Sequence, residues 1–169
     1  MKFTVKIALF VMMLASTLTN AQDKKPASPP ATATGKINGA NISVNYSSPS
    51  VKGRVIWGEL VPYGQVWRAG ANDATTFETD KAITIEGKQL PAGKYAFFVI
   101  PEKDNKATII FNSEAKQWGA YKYDAAKDVL RVIVPITKSK TVTESLTYKV
   151  DSNNVSLNWE HAVISFGVK

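Results

Sequence analysis

From Ile37 to Val168 apolar side chains return at every second position in short runs, and each run stops at residues that turn the chain. Ile42, Val44 and Tyr46 alternate with Ser43 and Asn45 behind an Asn38-Gly39 pair, whose tolerance of positive φ suits a tight hairpin. Ile83 and Ile85 precede Glu86-Gly87, Tyr95 to Ile100 precede Pro101, and Thr108 to Phe111 follow the polar turn Lys103-Asp104-Asn105. Val129 to Val134 end at Pro135. Leu146, Tyr148 and Val150 alternate before Asp151 to Asn154 turn the chain into Val155, Leu157 and Trp159. A period of two places one set of side chains on a single face of a strand, so this pattern builds sheet and not helix. Between Trp159 and Ile164 the apolar phase slips from odd to even positions. A one-residue slip would expose the core face, so a tight turn or bulge is required at Glu160-His161-Ala162.

Many short strands with close turn signals and no long amphipathic helix give an all-β fold: an antiparallel β-sandwich, or alternatively a partly closed β-barrel, with at most one or two short helices. The one place for a helix is Asn112 to Asp128, where Ser113 or Asp124 is a suitable cap. The expected core face comprises Ile83, Ile85, Phe97, Val99, Ile109, Phe111, Leu130, Val132, Leu157, Trp159, Ile164 and Phe166.

Ahead of this domain, Lys2 and Lys6 precede an apolar run from Ile7 to Leu14, and small residues lead to Ala21. That is the layout of a secretory signal peptide over residues 1–21, with cleavage expected before Gln22. The run is too short for a stable membrane anchor, so no stable membrane insertion is expected after cleavage, and a periplasmic or secreted location follows. Residues 22–35 are rich in Pro, Ala, Ser and Thr without a large apolar side chain, and are expected to be a disordered tether. Residues 36–169 then form a single domain. The chain has no cysteine, which removes disulfides, thiolate catalysis and cysteine metal ligands.

Loss of residues 1–21 takes two lysines and no acid, lowering the formal charge from +7 to +5. The lysines are scattered, which argues against a nucleic-acid partner. The single histidine, His161, is read as a surface residue in a turn between the last two strands. No Gly-x-Ser-x-Gly or His-Glu-x-x-His motif is present, and neither a metal nor a cofactor is expected. Glu59, Asp73, Glu78, Asp128 and Glu160 remain as solvated acids, or as members of a carboxylate pair of the kind that hydrolyses glycosides.

Two stretches are too long for hairpin turns, Ser47 to Gln65 and Asn112 to Asp128, and long ordered connections tend to carry function. The densest group of special residues runs from Trp67 to Thr76. Arg68 brings a planar fork of donors suited to a carboxylate, Asn72 both a donor and an acceptor, and Gly70 a backbone able to bend into an anion-holding nest. Alternatively Arg68 pairs with an internal acid and Asn72 satisfies a buried turn. Arg54 is placed to join Arg68, while Trp118 and Tyr121 interleave with small residues in a way that suits stacking on a sugar ring. Trp57 and Trp67, flanked by apolar neighbours, read as core.

Ser47 to Arg54, Leu60 to Asn72, Leu90 to Tyr95 and Gln117 to Tyr121, in this order, resemble a secreted Bacteroidetes-type family, domain of unknown function family 2911. The resemblance extends from about Ile37 to Val168. It implies an exported β-rich domain in a Gram-negative envelope and carries no catalytic residue onto this chain.

The leading expectation is therefore a non-enzymatic module for a small anionic or hydroxylated ligand, an acidic sugar or a carboxylate, held by Arg54, Arg68, Asn72, Trp118 and Tyr121. The rivals are an envelope glycan hydrolase with a carboxylate pair and a structural adaptor that binds protein through a sheet edge. Convergence of these side chains on one pocket, with or without paired acids, separates the three.

Overall fold

A computed structural model describes residues 26–169. The expected signal peptide, its cleavage site and the first residues of the expected tether lie outside the described residues. From Pro30 onward that segment is not a tether. Strand β1, Pro30–Ile37, pairs antiparallel along its length with β2, Ala40–Ser47. Composition alone considered only side-chain burial. What orders Pro30 to Gly35 is backbone pairing, initiated by the Asn38-Gly39 turn with both residues at positive φ (48° and 83°), the twist that matches flanking strands.

Strands β3 (Thr75–Thr79), β4 (Ile83–Ile85), β5 (Lys88–Leu90), β6 (Gly93–Pro101), β7 (Lys106–Asn112), β8 (Asp128–Val150) and β9 (Asn154–Gly167) follow. Seven of the nine strands form one antiparallel sheet in the order β1-β2-β3-β6-β7-β8-β9, and β4 and β5 make a second, small sheet. The fold is all-β as expected, its large sheet nearly closed into a barrel. The long strand β8 makes the curl: it pairs with β7 as far as Pro135 and with β9 from Ile136 onward. β1 comes back against the end of β8. A Cβ on Gly35 would lie 2.5 Å from Val150 Cγ1, so the approach tolerates only glycine there.

Every residue of the expected core face is buried. In β6 the burial extends to both faces, because Ala96 and Phe98 join Ala74 and Ile110 in a second apolar cluster on the outside of the sheet, against Tyr123 and Ala120. Residues 113–123 thus lie over the sheet, with Phe98 and Tyr123 in edge contact at 5.1 Å between ring centroids. The only helix among the described residues is a 3₁₀ turn, Ala125–Lys127, capped by the Asp124 carboxylate, which accepts from Ala126 N at 2.9 Å. Between β2 and β3, residues 48–74 cross without a strand. Within this crossing Trp67 makes one isolated bridge, opposite Val99. Beneath this loop Trp67 stacks on Trp159 at 5.8 Å, with Trp57 edge-on to both.

Candidate functional site

Arg68 follows directly on the pinned Trp67, whose N–H donates to Val99 O at 2.8 Å. The next residue, Ala69, is fully buried in the left-handed region (φ 53°). Alanine is held there because its carbonyl accepts two hydrogen bonds, from the Tyr148 hydroxyl at 2.8 Å and the Thr75 hydroxyl at 3.0 Å. Gly70 serves close packing: a Cβ would stand 2.9 Å from Thr75 Oγ1 and 3.1 Å from Ser47 O. The left-handed residues are its neighbours Ala69 and Asn72 (φ 59°), so Gly70 is not the bend expected of it.

Asn72 donates from Nδ2 to Ser47 Oγ at 3.3 Å, and its carbonyl accepts from Gly119 N at 3.1 Å. Ala74 N donates to Gln117 O at 3.0 Å, and Asp73 bridges Trp118. The end of the 48–74 crossing and the loop after β7, distant in sequence, are therefore zipped together. Arg68 lies under this zipper, its Nη1 beside Gly119, at 3.8 Å from where a Cβ would stand. Its Nε is buried and has no hydrogen-bond partner among the described residues, and no acid there forms an ion pair with it. The internal-acid alternative for Arg68 finds no partner.

The second loop is held from below. Asn112, fully buried, donates to Asp124 O at 2.9 Å and Asp128 Oδ1 at 2.8 Å, and accepts from Glu114 N at 3.0 Å. Asp128 is bound by Arg131 Nε at 2.6 Å and by the Tyr123 hydroxyl, which removes it from the free acids. Burial raises the Tyr123 phenol above its ordinary value, and the bond to Asp128 adds to the shift. On this base Trp118 and Tyr121 stand out, 62% and 84% exposed. They line a cleft of about 580 Å³ with Glu114, Gln117, Lys116, Lys122 and Lys127. Glu114 pairs with Lys127 at 2.8 Å, and the hydrogen bond from that ammonium lowers its pKa.

Four of the five expected residues thus meet on one loop face: Trp118 and Tyr121 in the cleft, Asn72 and Arg68 in the layer that supports it. Arg54 does not join them. It lines a separate cleft with Trp57, Tyr63, Lys138, Glu160 and His161. His161 is not in a turn between strands but within β9, beside a bulge at Glu160 (φ 55°). The phase slip at Trp159 marked this irregularity in the sequence, but nothing local indicated what would face it. Lys116 and Lys122 were also missed, since scattered lysines carry no signal until a fold gathers them. Among the described residues no three His, Asp or Glu side chains converge as a metal site.

No curated protein and no solved structure matches this chain. A family described as "Protein of unknown function (DUF2911)" matches residues 28–168, nearly the whole described domain, and the chain belongs to that family.

Proposed function

We propose that the chain is a non-enzymatic periplasmic or secreted module that binds a small anionic or hydroxylated ligand, best an acidic sugar, across Trp118 and Tyr121. The observation that carries this is the exposure of two large aromatic rings in a cleft that also presents three lysines. Ring faces stack on the C–H face of a sugar, and ammonium groups take its carboxylate. The cleft volume lies within the usual range for small ligands, roughly 300 to 1,000 Å³. Arg68 supports the loop and adds positive charge beneath it.

Hydrolysis finds less support, because Glu114 alone among carboxylates lines this cleft and Lys127 engages it. Glu78 and Asp80 line a shallow depression beside β2, yet they sit two positions apart on one extended segment. Retaining and inverting chemistry both need acids facing each other across the substrate. An adaptor role has a poor seat at β1, whose edge turns toward β8. The apolar run behind Lys2 and Lys6 supports export.

The test is a thermal-shift and calorimetric panel of uronic acids and their neutral parent sugars on wild type, Trp118→Ala and Arg68→Lys. A uronic acid should raise the melting temperature of wild type saturably. Trp118→Ala should melt like wild type and lose the effect, and Arg68→Lys should weaken it. No response in wild type, or equal binding by Trp118→Ala, rejects the proposal.

A further inference from the structure

The cleft around Glu160 and His161 is built from two irregularities that face each other. On β9, Glu160 adopts φ 55° in mid-strand, a conformation that costs a non-glycine residue on the order of 1 to 3 kcal/mol unless its surroundings hold it. Opposite, β8 takes nine residue steps from Lys138 to Thr147, where β9 takes four from Ala162 to Asn158. Where this mismatch begins, Lys138 and Ser139 of β8 form one wall. The 48–74 loop supplies the other, with Arg54, Trp57 and Tyr63.

The side chains are oriented by backbone groups, which leaves their charge free. His161 Nδ1 lies 3.0 Å from Ser139 O, and a carbonyl can only accept, so Nδ1 carries the proton and Nε2 of the neutral ring is left with its lone pair. Glu160 accepts from His161 N at 2.6 Å, and its other oxygen is 3.9 Å from His161 Nε2. Arg54 donates Nε to Val51 O at 3.1 Å and Nη2 to Ser50 O. Those two carbonyls fix the guanidinium plane without neutralising it, and the remaining N–H donors are unspent. Neither Arg54, Lys138 nor Lys103 has an ion-pair partner among the described residues.

The cleft has two parts. An outer bay of about 520 Å³ holds Arg54, Lys138 and Ser139. It shares Trp57, Tyr63, Lys138, Glu160 and His161 with a narrower recess of about 90 Å³, whose further walls include Ile136 and Ala162. Glu102 also lines the recess, with Lys103 beside it to offset its charge. Trp57, Tyr63, Ile136 and Ala162 give the recess rings and aliphatic carbons beside its charged groups, and the bay outside it adds Arg54 to Lys138. An acid with a long polar chain would leave the Trp57 and Tyr63 rings uncovered, and a neutral ring would leave the Arg54 and Lys138 charges unpaired.

We propose that this cleft is a second ligand site, separate from the Trp118 face, and that it takes a small one-ring aryl carboxylate. The ring enters between Trp57 and Tyr63, and the carboxylate is held in the bay by Arg54 and Lys138. His161 and Glu160 close the inner side. Trp57, edge-on to Trp67 and Trp159, connects the site to the tryptophan cluster, so occupancy is visible in intrinsic fluorescence.

Phenylacetate is the probe, titrated against the whole domain while tryptophan emission is followed, with phenylacetamide as the uncharged control. Wild type should show a saturable change, and phenylacetamide should bind at least about tenfold more weakly for want of a charged hydrogen bond. Arg54→Ala, an exposed substitution, should weaken phenylacetate by a similar factor while the melting temperature holds. Trp118→Ala should bind as wild type does, which separates this site from the sugar face. Lys138→Ala provides a second test should Arg54→Ala disturb its loop: it too should weaken binding. A wild type without saturable response up to about 10 mM, well above the Kd of even a weak specific site, overturns the proposal. So does equal affinity for acid and amide, or undiminished binding by both Arg54→Ala and Lys138→Ala.

Discussion

The Ala69 carbonyl is the point on which the Arg68 loop depends, and it yields a quantitative prediction. It is buried, belongs to an alanine in the left-handed region, and accepts from both Tyr148 and Thr75 at 2.8 and 3.0 Å. Tyr148→Phe removes one donor without opening a cavity, and the carbonyl keeps the other. The cost should be that of one net hydrogen bond, about 1 kcal/mol. Thr75→Val should behave alike. In the double variant the carbonyl has neither hydroxyl, and the desolvation penalty of a buried, unpaired acceptor appears, about 1 to 3 kcal/mol beyond the sum. Urea denaturation followed by tryptophan fluorescence measures all four proteins, with an unchanged m-value as the check that the unfolded state is not altered. Independent sites add to within about 0.3 to 0.5 kcal/mol. A double variant that is additive within that margin refutes the idea that the two hydroxyls share one carbonyl to hold the loop.

Burial raises the Tyr148 hydroxyl well above its ordinary 10.0, so an unfolded chain releases this proton at lower pH than the folded one. The contribution is complete below about pH 10 and is lost as pH climbs toward the folded value. Urea midpoints measured from about pH 9 to 11 should therefore fall more steeply for wild type than for Tyr148→Phe, and parallel curves would contradict this. Trp159→Ala, which removes a ring 1% exposed and stacked on Trp67, should cost about 3 to 5 kcal/mol. An unchanged denaturation midpoint would mean the β9 phase is wrong. Gly35→Ala drives a methyl to 2.5 Å from Val150 Cγ1 and should cost about 1 to 3 kcal/mol. Stability at or above wild type in that variant would show that β1 does not pack against β8 so closely.

The strand pattern was legible because burial on one face of a sheet imposes a two-residue period wherever the strand is regular. That is why Phe97, Val99, Ile109, Phe111, Leu157 and Ile164 were assigned to the core from their spacing alone, and all are buried. The same logic located the Glu160 bulge from a slip in phase. It failed at Pro30 to Gly35, where ordering comes from backbone bonds that small side chains do not advertise. Trp67 was read as core from its apolar neighbours and is buried, held by one bridge two residues before left-handed Ala69 turns the chain.

The candidate sites divide along the same line. Sequence by itself determined the all-β class, the hairpin turn, the core face, and the loop in which Trp118 and Tyr121 lie, since these depend on periodicity and on the conformational limits of single residues; the other long loop was expected to stop at Gln65, short of Arg68 and Asn72, whereas the crossing runs on to Ala74. Only the tertiary structure decided that those loops zip together through Asn72 and Gly119 and that Arg54 faces His161 instead of Arg68. It alone gathered Lys116, Lys122 and Lys127 around the exposed rings. Such pairings join residues tens of positions apart, and they follow from how β8 curls the sheet and where its register against β9 shifts. Local periodicity reports which way a side chain points, whereas the neighbour it meets is set by sheet curvature and strand order, which no short stretch of sequence contains.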